Sequence, residues 1–237
     1  ASAQASLPSL AEQAAHGDLA AFRTTLLNVV RMVGFVMLPA SVGLMVLAYP
    51  IVGGLFERGA FDHRATIMTA QALICYALGL LAYALSKILS GAFYALQDTR
   101  TPVRLAIEAV VVNVVLSVLL MWPLRVNGLA LAAAIANTLN AYRLLRLMEQ
   151  RLSATILSLV VGAFARMLAA SIVMGAGCWI VWTAGGFSAR PLIGLPLVIL
   201  LGIVFYGLAC ALVRVPELSK ALRWVGQLPL IQPSASE

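Results

Sequence analysis

Lys87 is the residue of this sequence whose chemistry most needs an account. It sits in an apolar stretch about nine helical residues, or roughly 13 Å, from Gln97, too deep for its ammonium to snorkel comfortably to an interface. An ionised side chain inside a membrane span costs about 2.5 to 3.5 kcal/mol on insertion scales, so it needs a partner or a hydrated cavity. Tyr76, Tyr83, Lys87, Gly91 and Tyr94 recur at spacings of seven, four, four and three, which places them on one helical face. Two readings follow. Lys87 either lines a path for an anionic substrate, or it is a buried charge paired with Glu108 of the next helix. Glu108 has a local partner as well, because Arg104 lies four residues before it.

A second polar set is uncharged. Asn113 and Ser117 are four apart, and Asn137 and Asn140 three apart on the following helix. Their oxygens offer a weak site for a monovalent cation at Asn113 and Ser117, with no carboxylate to strengthen it. Hydrogen bonding between helices is the competing reading. Catalytic constellations are missing: there is no His-Glu-x-x-His, no Gly-x-Ser-x-Gly, no pair of carboxylates on one helix and no glycine-rich phosphate loop. His16 and His63 both fall in connections. Cys75, Cys178 and Cys210 lie far apart in apolar runs, as small core residues do. These features predict no enzyme, no metal centre and no cofactor.

The elements that must carry these residues follow from composition. The chain has 237 residues, 62% hydrophobic and 11% charged, which a soluble domain with its charged surface does not show. Residues 32–55, 65–86, 167–189 and 191–213 are free of charge and long enough to cross a hydrocarbon core of about 30 Å. Two shorter runs, 109–124 and 126–142, flank Arg125 and reach spanning length by borrowing residues from their outer flanks. The expected fold is an all-α membrane protein with six transmembrane helices, near 32–55, 65–96, 103–124, 126–147, 156–184 and 191–213. Pro39, eight residues into the first span, must disturb that helix by removing a donor. Alanine, serine and glycine at four-residue spacing, as in Ala130 with Ala134 and Ser171 with Gly175, predict close helix packing.

Residues 7–30 mix Leu10, Phe22 and Leu26 with Glu12, Asp18 and Arg23. The pattern predicts an interfacial helix broken near Gly17, and residues 216–227 read as a second such helix. The chain is expected to divide into an interfacial segment (1–30), a four-helix unit (31–147), the last two spans (148–213) and a tail (214–237). The net charge of +7 is spread singly between spans, so it speaks for topology and not for nucleic acid. With both termini cytoplasmic, eleven Lys and Arg fall inside and four outside, Lys87 excluded, which is the bias that orients membrane proteins. Trp122, Trp179 and Trp182 fall near the outer ends of their helices, where interfacial rings prefer to lie. The absence of a Met and of a secretory pattern at the start reads as a chain cut from a longer one.

Four ordered strings carry a resemblance. They are Leu-Phe-Glu-Arg-Gly-Ala-Phe at 55–61, Thr-Ala-Gln-Ala-Leu at 69–73, Phe-Tyr-Ala-Leu-Gln-Asp-Thr-Arg-Thr-Pro-Val at 93–103, and Asn-Gly-Leu-Ala-Leu at 127–131. Together they resemble the MurJ/MviN family of bacterial lipid II flippases, in the multidrug/oligosaccharidyl-lipid/polysaccharide exporter superfamily. The similarity is strong over residues 7–150 and rests on hydropathy beyond. It implies helices nine to fourteen of a fourteen-helix, two-lobed fold, working by alternating access in the bacterial cytoplasmic membrane. It further implies lipid II and membrane lipids as partners, together with the N-terminal lobe of the same protein. Lys87, Tyr83, Gly91, Arg100 and Arg104 are then the candidates for the substrate path. Asp98, Arg100 and Arg104 shape a cytoplasmic gate or positioning loop that meets anionic head groups. The smooth face of Gly162, Ala169, Val173 and Gly177 is the candidate groove for a polyprenyl tail. An exporter of polysaccharide repeats or drugs, or a non-transporting scaffold for envelope synthesis, is the alternative.

Overall fold

The computed structural model describes residues 7–59, 61–152, 155–187, 191–213 and 217. Their regular structure is helical throughout: α1 (Leu7–Ala15), α2 (Leu19–Val46), α3 (Ala48–Phe56), α4 (His63–Ala95), α5 (Arg100–Leu124), α6 (Val126–Leu152), α7 (Ile156–Ala184) and α8 (Pro191–Leu212). The long helices stand side by side in the order α5, α6, α4, α2, α7, α8, while α1 lies against α2 and α4, and α3 against α4 and α8. The end at which α2 begins is called proximal. α4 also ends there, and α5 begins.

Five helices, α2, α4, α5, α7 and residues 193–212 of α8, are long and apolar enough to cross a membrane. α6 has the length, with 27 residues, but carries Asn127, Asn137, Asn140, Arg143 and Arg146. It lodges between α4 and α5, where polar side chains meet helices: the Asn127 amide donates to Gln71 Oε1 of α4 over 2.9 Å, and Ser86 reaches the Asn137 carbonyl. Both Gln71 and Asn127 belong to the strings quoted above. Small residues let α4 and α6 meet closely. A Cβ on Gly79 would stand 2.8 Å from Ala134 Cα, and Ala130 and Ala134 are buried. α2 and α7 meet likewise at Gly175, against Val42.

The first segment differs from the expectation in one respect. The break near Gly17 is present, with Gly17 at φ 71° and Asp18 capping α2 through the Ala21 amide at 2.9 Å. No boundary falls near residue 30, however. Phe22, Leu26 and Val30 repeat every four residues and are fully buried with Leu10 of α1, so α2 continues straight into the span. The second expected interfacial helix, residues 216–227, lies outside the described residues apart from Glu217.

The effect of proline also falls elsewhere than expected. α2 runs unbroken through Pro39, and the first span is instead divided at Leu47. Pro50 has no N–H to give the Val46 carbonyl four residues earlier, so the chain re-aims at Leu47 before α3. Pro39 deprives the Phe35 carbonyl in the same way. That carbonyl accepts a hydrogen bond from the buried Tyr206 hydroxyl of α8 at 2.9 Å, and the two rings stand 5.2 Å apart. A donor from another helix replaces the one proline removes.

Between α4 and α5 the chain turns through a Schellman motif. The Asp98 amide donates to the Phe93 carbonyl and the Gln97 amide to that of Tyr94, with Gln97 in the left-handed region at φ 62°. α5 and α6 are joined through Arg125 alone. Their backbones come close there, since a Cβ on Gly128 would meet the Leu120 carbonyl oxygen at 2.3 Å.

Two stability changes follow. Tyr206→Phe should cost about 1 to 3 kcal/mol by orphaning the Phe35 carbonyl, whereas Pro39→Ala in that background should recover most of the loss by restoring the intrahelical donor. Reversible unfolding of the four variants in bicelles checks this, and additive losses would remove the compensation. At Gln97, glycine should stabilise by about 1 kcal/mol and valine should destabilise, because only glycine adopts φ above zero without a Cβ penalty. Thermal midpoints of the two variants should move in opposite directions.

Candidate functional site

The face of α4 anticipated around Lys87 is present. Tyr76, Tyr83 and Tyr94 are each about half exposed, Lys87 is exposed, and Gly91 is half-buried one turn on. The Lys87 ammonium lies 5.7 Å from the centre of the Tyr83 ring, within cation–π range. The pairing with Glu108 is not formed. Among the described residues no carboxylate lies within ion-pair distance of Lys87, because α5, which carries Glu108, packs on α6 and touches α4 only marginally.

Glu108 is held elsewhere. Arg104, one turn earlier on α5, donates through Nε at 3.1 Å, and Arg143 reaches the other carboxylate oxygen from α6. One turn beyond, the Arg146 Nε donates to the Tyr142 hydroxyl at 3.0 Å with its guanidinium 5.3 Å from that ring centre. Arg146 also stands 3.7 Å from Glu149, whose other oxygen accepts from the Leu157 amide. Arg143 and Arg146 were not singled out by sequence reasoning, yet a signal was there. In a hairpin turning at Arg125, Glu108 lies seventeen residues before the turn and Arg143 eighteen after it, and Arg104 and Arg146 are each twenty-one away. Antiparallel helices bring such positions level.

The proximal loop is tied by Asp98. Its Oδ1 accepts from the Thr101 amide at 3.0 Å, and its Oδ2 takes the Thr101 hydroxyl at 2.7 Å and a guanidinium N–H of Arg151 at the end of α6. The Thr101 hydrogen bonds, aided by Arg151, hold this carboxyl below its ordinary pKa. The stabilisation is therefore complete above the usual carboxylate range and fades as pH falls through it. Arg100, at the first position of α5, is exposed.

The remaining candidates fall in other places. Asn113 and Ser117 are half-buried on α5 and bond to each other, Ser117 Oγ to Asn113 Oδ1 at 3.4 Å. On α7, Gly162, Ala169 and Val173 lie exposed on one face, whereas Gly177 turns toward Phe205 of α8. A half-open apolar groove lies on a different side of α7. It has a volume of about 540 Å³ between α2, α7 and α8, lined by Phe35, Pro39, Met174, Cys178, Gly202 and Tyr206 among others. Among the described residues no three His, Cys, Asp or Glu side chains gather as metal ligands would, and the three cysteines are free.

Residues 1–201 match the family model described as lipid II flippase MurJ. The probable lipid II flippase MurJ of Vibrio cholerae is 36% identical over 192 residues, covering 78% of this chain and 37% of that protein. That of Haemophilus influenzae is 38% identical over 165 residues, 67% of this chain and 31% of that protein. The chain thus spans about a third of the length of these relatives. Among solved structures, a lipid II flippase MurJ in an inward closed conformation superposes with a TM-score of 0.67 at 24% identity, covering 85% of this chain and 41% of that one, a likeness of fold. A family model matched over residues 1–201 and relatives above 30% identity over two thirds or more of this chain leave one conclusion: this chain belongs to the lipid II flippase MurJ family.

Proposed function

We propose that this chain supplies the C-terminal lobe of a flippase that carries lipid-linked peptidoglycan precursor across the bacterial cytoplasmic membrane by alternating access against an N-terminal lobe. The family match over residues 1–201 carries this reading, and the helix row agrees with it. No catalytic chemistry is assigned: the chain is a transport module. The proximal end is cytoplasmic, so both described termini face the cytoplasm, in accord with the distribution of Lys and Arg.

Lys87 is then a cation of the substrate path. Its charge lies within a span, its neighbour is the Tyr83 ring, and no described carboxylate neutralises it. An anionic group of the passing substrate supplies the missing counter-charge, at a place where low dielectric makes one charge count. Tyr83 and Gly91 flank that position on the same face. Arg100 and Arg104 stand at the cytoplasmic mouth, where the Asp98 loop sets the first turn of α5. Asn113 and Ser117 provide two neutral oxygens engaged with each other, which suits helix packing better than cation binding. The exposed strip of Gly162, Ala169 and Val173 offers a smooth apolar surface for a polyprenyl tail.

The test uses the intact protein containing this chain, at matched expression. Lys87→Met should lower lipid II translocation at least tenfold with the fold retained, and Lys87→Arg should keep most of it. Wild-type translocation by Lys87→Met would remove Lys87 from the path. Cysteines placed at 58 and 125 should react with an impermeant thiol reagent from the periplasm, and those at 100 and 146 should be shielded from it. The reverse pattern would overturn the orientation.

A further inference from the structure

We propose that the groove between the proximal halves of α5 and α6 binds an anionic phospholipid, its phosphate held by Arg104, Arg143 and Arg146 and one acyl chain running along the groove toward the bilayer centre. The proposal rests on the orientation given above only in naming the leaflet, which is the cytoplasmic one.

The charged part is a cavity of about 470 Å³ lined by Thr101, Arg104 and Glu108 of α5 and by Tyr142, Arg143 and Arg146 of α6. Three guanidinium groups face a single carboxylate in its wall. Glu108 is gripped from both sides, so it holds Arg104 and Arg143 together against their mutual repulsion without neutralising both. Arg146 is laid on the Tyr142 ring, which fixes its plane, and Glu149 is shared with the Leu157 amide. Arg104 spends its Nε on Glu108 and Arg143 its Nη1, so among the described residues their other guanidinium nitrogens have no protein acceptor. A planar fork of free donors beside a second and a third is how phosphate is gripped. The start of α5 adds the positive end of its dipole at the same level.

The apolar part distinguishes a lipid from a free anion. A second cavity of about 380 Å³ shares Leu105, Glu108, Tyr142 and Arg143 with the first and continues between Ala109, Val112, Leu139 and Asn140. From Glu108 to Val112 the helix rises about 6 Å, so a largely apolar slot, with Asn140 as its polar lining residue beyond the shared ones, leads from the arginines toward the middle of the bilayer. The neighbouring face of α5 is apolar and open, with Val110, Val111, Val114 and Val118 exposed. A charged mouth above an apolar slot has the shape of an amphiphile. Inorganic phosphate would use only the mouth.

The site can be tested without any transport measurement, in membranes lacking lipid II. The intact protein, in nanodiscs and by mass spectrometry from detergent, should retain phosphatidylglycerol over phosphatidylcholine. Arg143→Gln with Arg146→Gln should weaken that retention at least tenfold, while Arg58→Gln with Arg64→Gln, two charges removed at the distal end, should leave it unchanged. Glu108→Gln, which keeps all three arginines and removes the opposing charge, should tighten it, a direction that mere loss of folding cannot produce. Equal retention by the Arg143/Arg146 double variant, or loss of binding in Glu108→Gln, would overturn the site. Displacement of phosphatidylglycerol by millimolar inorganic phosphate, with equal affinity for the two, would make it a phosphate site and overturn the lipid assignment. Equal retention by the Arg143/Arg146 double variant would leave the flippase reading standing, because that reading is judged on translocation by Lys87→Met and not on lipid retention.

Discussion

In a bundle that crosses a membrane, a backbone carbonyl deprived of its helical donor finds no water to replace it. The pairing of Tyr206 with the Phe35 carbonyl meets that requirement at Pro39, and much of the arrangement around it depends on this contact. It spans α2 and α8, joins residues 171 positions apart, and sits in the apolar cluster that also contains Met167, Met174 and Val198. α2 continues through its proline without a break, which lets one helix link the proximal cluster around Phe22 and Leu26 to the cluster around Phe35 and Leu38. The second proline, Pro50, has no such rescuer described, and there the helix divides.

The other organising element is α6. It is less apolar than its neighbours and lodges between α4 and α5, where several of its polar groups meet other helices. Asn127 meets Gln71, Asn137 offers its carbonyl to Ser86, and Arg143 and Arg151 reach the carboxylates of α5 and of the proximal loop. Close approach is secured at Gly79 and Gly128, where a methyl group would strike backbone. These contacts fix α4, α5 and α6 as a unit whose ion pairs join Arg104, Glu108, Arg143 and Arg151 toward the proximal end, while Lys87 stands apart on the open face of α4.

Several features were legible along the chain because they are sums over local stretches. Apolar runs found the spans, and small residues at four-residue spacing marked the faces of α6 and α7 that pack closely. Lys87 was conspicuous because a charge within an apolar run is costly wherever its partner lies. The partner of Glu108 was not legible in the same way. The sequence offered Lys87 and Arg104 for that place, and the packing of α5 against α6 kept Arg104, left Lys87 out and added Arg143.

The sequence by itself determined the class of the protein, the approximate number and limits of its spans, and the strings that place it in its family, since each depends on side-chain type and short-range periodicity. Tertiary structure decided which charges meet, where the first span divides, and that residues 19–30 run into the first span as one helix. The reason is that helix rotation and adjacency are set by packing between residues far apart in sequence. A one-dimensional pattern records that Arg104, Glu108, Arg143 and Arg146 exist. Only the register of the α5–α6 hairpin brings them to the wall of one groove.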